Sequence, residues 1–116
     1  MNREFVHAEI FDKLWEELGL TDEDLRILQK MLLDNPKAGP QIQSTGGLRK
    51  IRVSIGGQGK RSSGRVIYVD FLQYEKIYLL YVYRKKETEN ITPTDKKEFK
   101  IVINQIENEL KRGNRA

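Results

Sequence analysis

The clearest pattern in the chain is strict alternation over residues 49–55: Ile51, Val53 and Ile55 fall on one side, Lys50, Arg52 and Ser54 on the other. A period of two predicts a strand with one apolar and one cationic face. Two further runs, 65–72 and 77–83, are dense in Val, Ile, Tyr and Phe, and they predict the next two strands. Short connections between the three make an antiparallel meander. Ahead of it, Ile10, Phe11, Leu14, Trp15 and Leu18 recur at helical spacing until Gly19 ends the run. A short strand at 3–7 precedes that helix. Thr21 opens a second helix by capping the amide of Asp24, with Asp22, Glu23 and Asp24 at the positive end of the helix dipole. Leu25, Leu28, Met31 and Leu32 form its apolar face, and Asn35-Pro36 stops it.

Residues 36–47 hold two prolines and three glycines and read as a loop, and residues 56–64 as a basic hairpin loop rich in glycine and serine. Thr92-Pro93-Thr94-Asp95 starts a closing helix, with proline at its first position and Phe99, Val102, Ile103, Ile106 and Leu110 on one face. The chain is thus expected to be a single α+β domain over residues 1–116. Its parts are a helical segment at 1–35, a basic meander at 47–86 and a helix at 93–112. The helices are expected on one face of the sheet, leaving the other free to carry cations.

Composition removes much chemistry. There is no cysteine and only one histidine, which excludes disulfide scaffolds, thiolate zinc sites, cysteine nucleophiles and any His-rich metal centre. No apolar run approaches the roughly 20 residues that span a bilayer. The first ten residues carry charges where a signal peptide needs an apolar stretch, so the expected location is the cytoplasm, with no membrane partner. Lys and Arg number 21 against 17 Asp and Glu, but the imbalance is local. Residues 47–86 hold ten cations and two anions, while the rest of the chain holds eleven and fifteen. A basic middle between acidic ends outlines a nucleic-acid surface.

Gly57-Gln58-Gly59-Lys60 is not a phosphate loop: Ser54 stands where the first glycine is required and Arg61 where Ser or Thr must follow the lysine. His7 reads as a boundary residue, and Glu16-Glu17 with Asp22 to Asp24 as solvated helix ends. Lys50, Arg52 and Arg65, with Lys60, Arg61, Lys85 and Lys86 and with Tyr81 and Tyr83, form the notable constellation. Guanidinium grips phosphate oxygens bidentately, ammonium acts as a point charge, and tyrosines offer faces on which bases stack. If such a site cleaves RNA, the substrate's own 2′-hydroxyl serves as nucleophile, so no metal, cofactor or protein nucleophile is needed. The protein then orients that hydroxyl in line and stabilises the developing charge.

Three segments carry a resemblance: Gly46-Gly47-Leu48-Arg49-Lys50-Ile51-Arg52-Val53, then Gly59-Lys60-Arg61-Ser62-Ser63-Gly64-Arg65-Val66-Ile67-Tyr68, then Ile77-Tyr78-Leu79-Leu80-Tyr81-Val82-Tyr83. Together they resemble the RelE superfamily of bacterial toxins, and within it the HigB branch. The resemblance implies an mRNA endoribonuclease acting in the ribosomal A site, neutralised by a HigA-like helix-turn-helix antitoxin and monomeric when free. Carried over by position, Lys50, Arg52, Arg65 and Lys86 fall on catalytic places, and Arg49, Lys60, Arg61, Tyr81, Tyr83, Arg84 and Lys85 on RNA-binding ones. Arg84 stands where the family usually has glycine, and Thr92 lies near a place where some members carry a catalytic tyrosine. The general base is therefore open, with Tyr81 and Tyr83 as candidates. Two rivals remain: a ParE-like toxin that binds DNA gyrase, for which the basic sheet face is dispensable, and a non-catalytic RNA-binding domain.

Overall fold

The computed structural model describes residues 2–55, 63–85 and 91–113. The elements run β1 (Glu4–His7), α1 (Glu9–Glu17), α2 (Asp22–Asp34), β2 (Leu48–Ser54), β3 (Ser63–Phe71), a 3-10 turn (Leu72–Tyr74), β4 (Lys76–Arg84) and α3 (Pro93–Gly113). This is the expected α+β order. Among the described residues no helix is long and apolar enough to cross a membrane.

Local chemistry sets the helix ends. α1 closes on Gly19, whose φ of 78° is one that side-chain-bearing residues rarely adopt. Its N–H donates to Glu16 at 3.0 Å while Leu20 N–H reaches back to Trp15 at 3.1 Å, satisfying two terminal carbonyls. α2 opens with a reciprocal cap: Asp24 N–H donates to Thr21 Oγ1 at 3.1 Å and Thr21 N–H to Asp24 Oδ2 at 2.8 Å. α3 repeats the device, Asp95 N–H donating to Thr92 Oγ1 at 3.0 Å and Thr92 N–H to Asp95 Oδ2 at 3.2 Å.

The strands form one sheet in the order β1-β4-β3-β2. β2, β3 and β4 make the antiparallel meander, and β1 joins the far edge parallel to β4, with Phe5 opposite Ile77. Residues 36–47 strap the β2 edge. Lys50 N–H donates to Pro40 O, Ile42 N–H to Leu48 O, and the buried Tyr68 hydroxyl donates to Pro36 O while accepting from Gly39 N–H. A Cβ at Gly39 would lie 2.7 Å from the Lys50 carbonyl oxygen, so the strap requires glycine there.

Contrary to expectation, the helices do not share one face. Phe11, Trp15, Leu28 and Leu32 of α1 and α2 pack with Ile51, Val66, Tyr68, Ile77 and Leu79. Ile103 of α3 packs with Leu48, Ile67, Val69 and Leu80, the alternate residues that point the other way. The reason lies in β3 and β4. Val66-Ile67-Tyr68-Val69 is buried at every residue, and a strand apolar on both sides needs cover on both sides. The cations are left with the part of the second face that α3 does not reach.

Candidate nucleic-acid interface

Register places the candidate residues in two rows across the sheet. Arg52 stands opposite Arg65, and Arg65 opposite Tyr83; in the next row Lys50 stands opposite Ile67, and Ile67 opposite Tyr81. Directly opposed residues hold their Cβ atoms about 5 Å apart, so Arg52 and Arg65 are a like-charged cross-strand pair. Such a pair is unfavourable on its own and becomes favourable with an anion between the guanidinium groups. Arg52 is exposed, Lys50 and Arg65 half-buried. The Arg65 guanidinium donates to the Gly64 carbonyl at 3.1 Å. Asp70 is engaged elsewhere, in a part-buried ion pair with Arg3 at 2.8 Å.

A β-bulge brings the tyrosines onto this face. Leu79 pairs with Tyr68 and Tyr81 with Ile67, so Leu80 is an extra residue and the alternation of β4 changes phase there. Without it, Tyr81 and Tyr83 would follow Ile77 and Leu79 toward α1 and α2. With it, both lie beside Arg65 and Ile67, their ring centroids 6.3 Å apart. Tyr83 is 8% exposed, and its hydroxyl is buried with no hydrogen-bond partner among the described residues. Burial pushes the Tyr83 phenol up from its ordinary pKa, with nearby Arg65 pulling part of the way back, so it stays a neutral donor at physiological pH.

The remaining candidates are dispersed. Arg49 lies on the opposite face and donates to the Gly39 carbonyl at 2.8 Å, holding the strap. Arg84 also belongs to that face, lining a cleft with Leu14, Glu17 and Leu18. Lys85 is exposed in the turn after β4, its N–H donating to Ser63 O. Lys60, Arg61 and Lys86 lie outside the described residues. The structure adds what periodicity alone assigned to core packing. Phe99 and Val102 of α3 line a cleft with Tyr81, Tyr83, Asp95 and Glu98, immediately beside the cationic rows. A carboxylate next to Phe99 on that helix is the only sequence signal for it.

The model of one protein family, the RelE toxin of the RelE/RelB toxin–antitoxin system, matches residues 5–112, nearly the whole chain. The chain belongs to the RelE toxin family. Among solved structures, it is similar to the E. coli toxin RelE in its free state, in a mutant with two arginines replaced by alanine. Identity is 17%, the match covers 77% of this chain and 90% of that one, and the TM-score is 0.56. That likeness shows the RelE fold. RelE-family membership carries an antitoxin partner and endoribonuclease activity as the class of function.

Proposed function

We propose that this RelE-family toxin cleaves mRNA in the ribosomal A site by attack of the substrate's 2′-hydroxyl on the adjacent phosphate, without a metal ion. The observation that carries the reading is the Arg52–Arg65 pair, with Lys50 one row below and tyrosines at the end of each row. Arg65 stabilises the charge that develops on the phosphate, in a site where a fixed donor acts most strongly. Lys50 and Arg52 hold the phosphate and assist proton transfer. The neutral Tyr83 phenol suits donation rather than abstraction of a proton. Lys60, Arg61, Lys85 and Lys86 serve RNA backbones and Tyr81 offers a stacking face, while Arg49 and Arg84, on the opposite face, take no part in this site.

The finer identity follows the same reading: a cytoplasmic, HigB-like toxin, monomeric when free and silenced by a HigA-like helix-turn-helix antitoxin. The test is induction of the chain in a bacterial host with mapping of RNA 5′ ends. New ends confined to translated reading frames, and suppressed by the adjacent antitoxin gene, are expected. Growth arrest with intact messages and blocked gyrase would overturn the reading in favour of a ParE-like toxin.

A further inference from the structure

The cleft between α3 and the sheet has a volume of about 330 Å³, near the lower end of the roughly 300–1,000 Å³ typical of small-ligand pockets, a size suited to one nucleobase. Its walls are of two kinds. Tyr81 and Phe99 supply aromatic surface, their rings 6.3 Å apart at 73°. Asp95 and Glu98 supply carboxylates. Asp95 is already engaged in capping α3 through its Oδ2. Glu98 is exposed and has no hydrogen bond or ion pair among the described residues.

A free carboxylate here is at odds with a surface built for phosphate. Arg65 lies directly across from Tyr83, which lines the cleft, and Lys50 two strands from Tyr81, about 10 Å away. An RNA strand held by those cations would be repelled at Glu98 unless it presented hydrogen-bond donors there, a single one from a ribose 2′-hydroxyl or one or more from a base edge. Of the four bases, guanine alone offers two adjacent donors, its ring N1–H and its exocyclic amino group, spaced to meet both oxygens of one carboxylate. Adenine and cytosine place an unprotonated ring nitrogen beside their amino group, so its lone pair would face the second oxygen.

We propose that this cleft binds a guanine base of the RNA substrate, stacked on Tyr81 or Phe99 and read on its Watson–Crick edge by Glu98. The proposal rests on reading the cationic rows as an RNA site, and its test separates the two claims. The full chain is titrated with two 2′-O-methylated tetranucleotides, one guanine or one adenine among three uracils, with anisotropy for affinity and amide NMR shifts for location. The guanine strand is expected to bind about tenfold more tightly, as a bidentate base contact implies, with shifts at Tyr81, Glu98 and Phe99. In Glu98→Gln, an exposed exchange of similar shape, the ratio is expected to fall to about one. Equal binding of both strands by the wild type, or an unaltered ratio in Glu98→Gln, overturns the guanine assignment alone. Failure to bind either strand overturns this inference of a base-binding cleft on the free chain, while the RNA reading stands or falls on the mapped 5′ ends.

Discussion

Arg65 and Tyr83 face each other across β3 and β4, and their different burial predicts different consequences of mutation. A preorganised donor to developing charge is worth ~3 kcal/mol, about a hundredfold in rate. Arg65→Ala is therefore expected to slow single-turnover cleavage of ribosome-bound message by about a hundredfold with little change in ribosome affinity. Because Asp70 pairs with Arg3 and not with Arg65, the loss should leave the melting curve nearly unchanged. Tyr83→Phe separates stability from activity in the other direction. Its hydroxyl has no partner to lose among the described residues, so the variant should be no less stable in urea while cleaving more slowly. Alkaline stability follows from the same chemistry. Tyr68, Tyr78 and Tyr83 all have their pKa raised in the fold, chiefly by burial. The folded state then holds protons that the unfolded chain releases, so stability is intact below about pH 10 and falls as pH rises through the folded values. Urea titrations between pH 8 and 11 should show this decline, with a shallower slope in Tyr68→Phe.

At the scale of elements, short-range patterns were the most legible part of the sequence. The Thr21–Asp24 cap, the Gly19 terminus and the proline start of α3 are each written in a few adjacent residues, and each is found in place. Thr21→Ala and Thr92→Ala should each cost about 1 kcal/mol in chemical denaturation, the usual value of such a cap. Gly39→Ala should cost more than either, since its Cβ meets backbone that cannot step aside. The alternation of β2 correctly put Lys50 and Arg52 together, because β2 is an edge strand with one cationic face. Where several elements act at once, legibility ended. The one-residue bulge at Leu80 leaves no mark in an apolar run, yet it decides which way Tyr81 and Tyr83 point. The near-continuous burial of β3 demanded a helix on each face, although an alternating neighbour suggested one face alone. Arg49 and Lys50, adjacent in sequence, serve opposite sides: one holds a loop, the other joins the cationic rows.

Across the whole molecule, the sheet separates two cores, and the cationic site occupies the margin that the helices leave uncovered. The site's frame reaches the opposite end of the chain. Arg3, just before β1, donates to Asp70 near the end of β3 through both Nε and Nη2, in a part-buried pair. Asp70→Asn removes the charge that Arg3 requires and is expected to cost about 2 kcal/mol, read as a lower urea midpoint at unchanged slope. It lies away from the cationic rows, so cleavage by the folded fraction should persist. With ten cations in residues 47–86, ribosome association should also weaken steeply with salt. The most direct measurement of the central claim is the chemistry of the cut ends on message cleaved in programmed ribosomes. Attack by the 2′-hydroxyl within the cationic rows predicts a 2′,3′-cyclic or 3′-phosphate on one fragment and a 5′-hydroxyl on the other. A 5′-phosphate on the downstream fragment would contradict it.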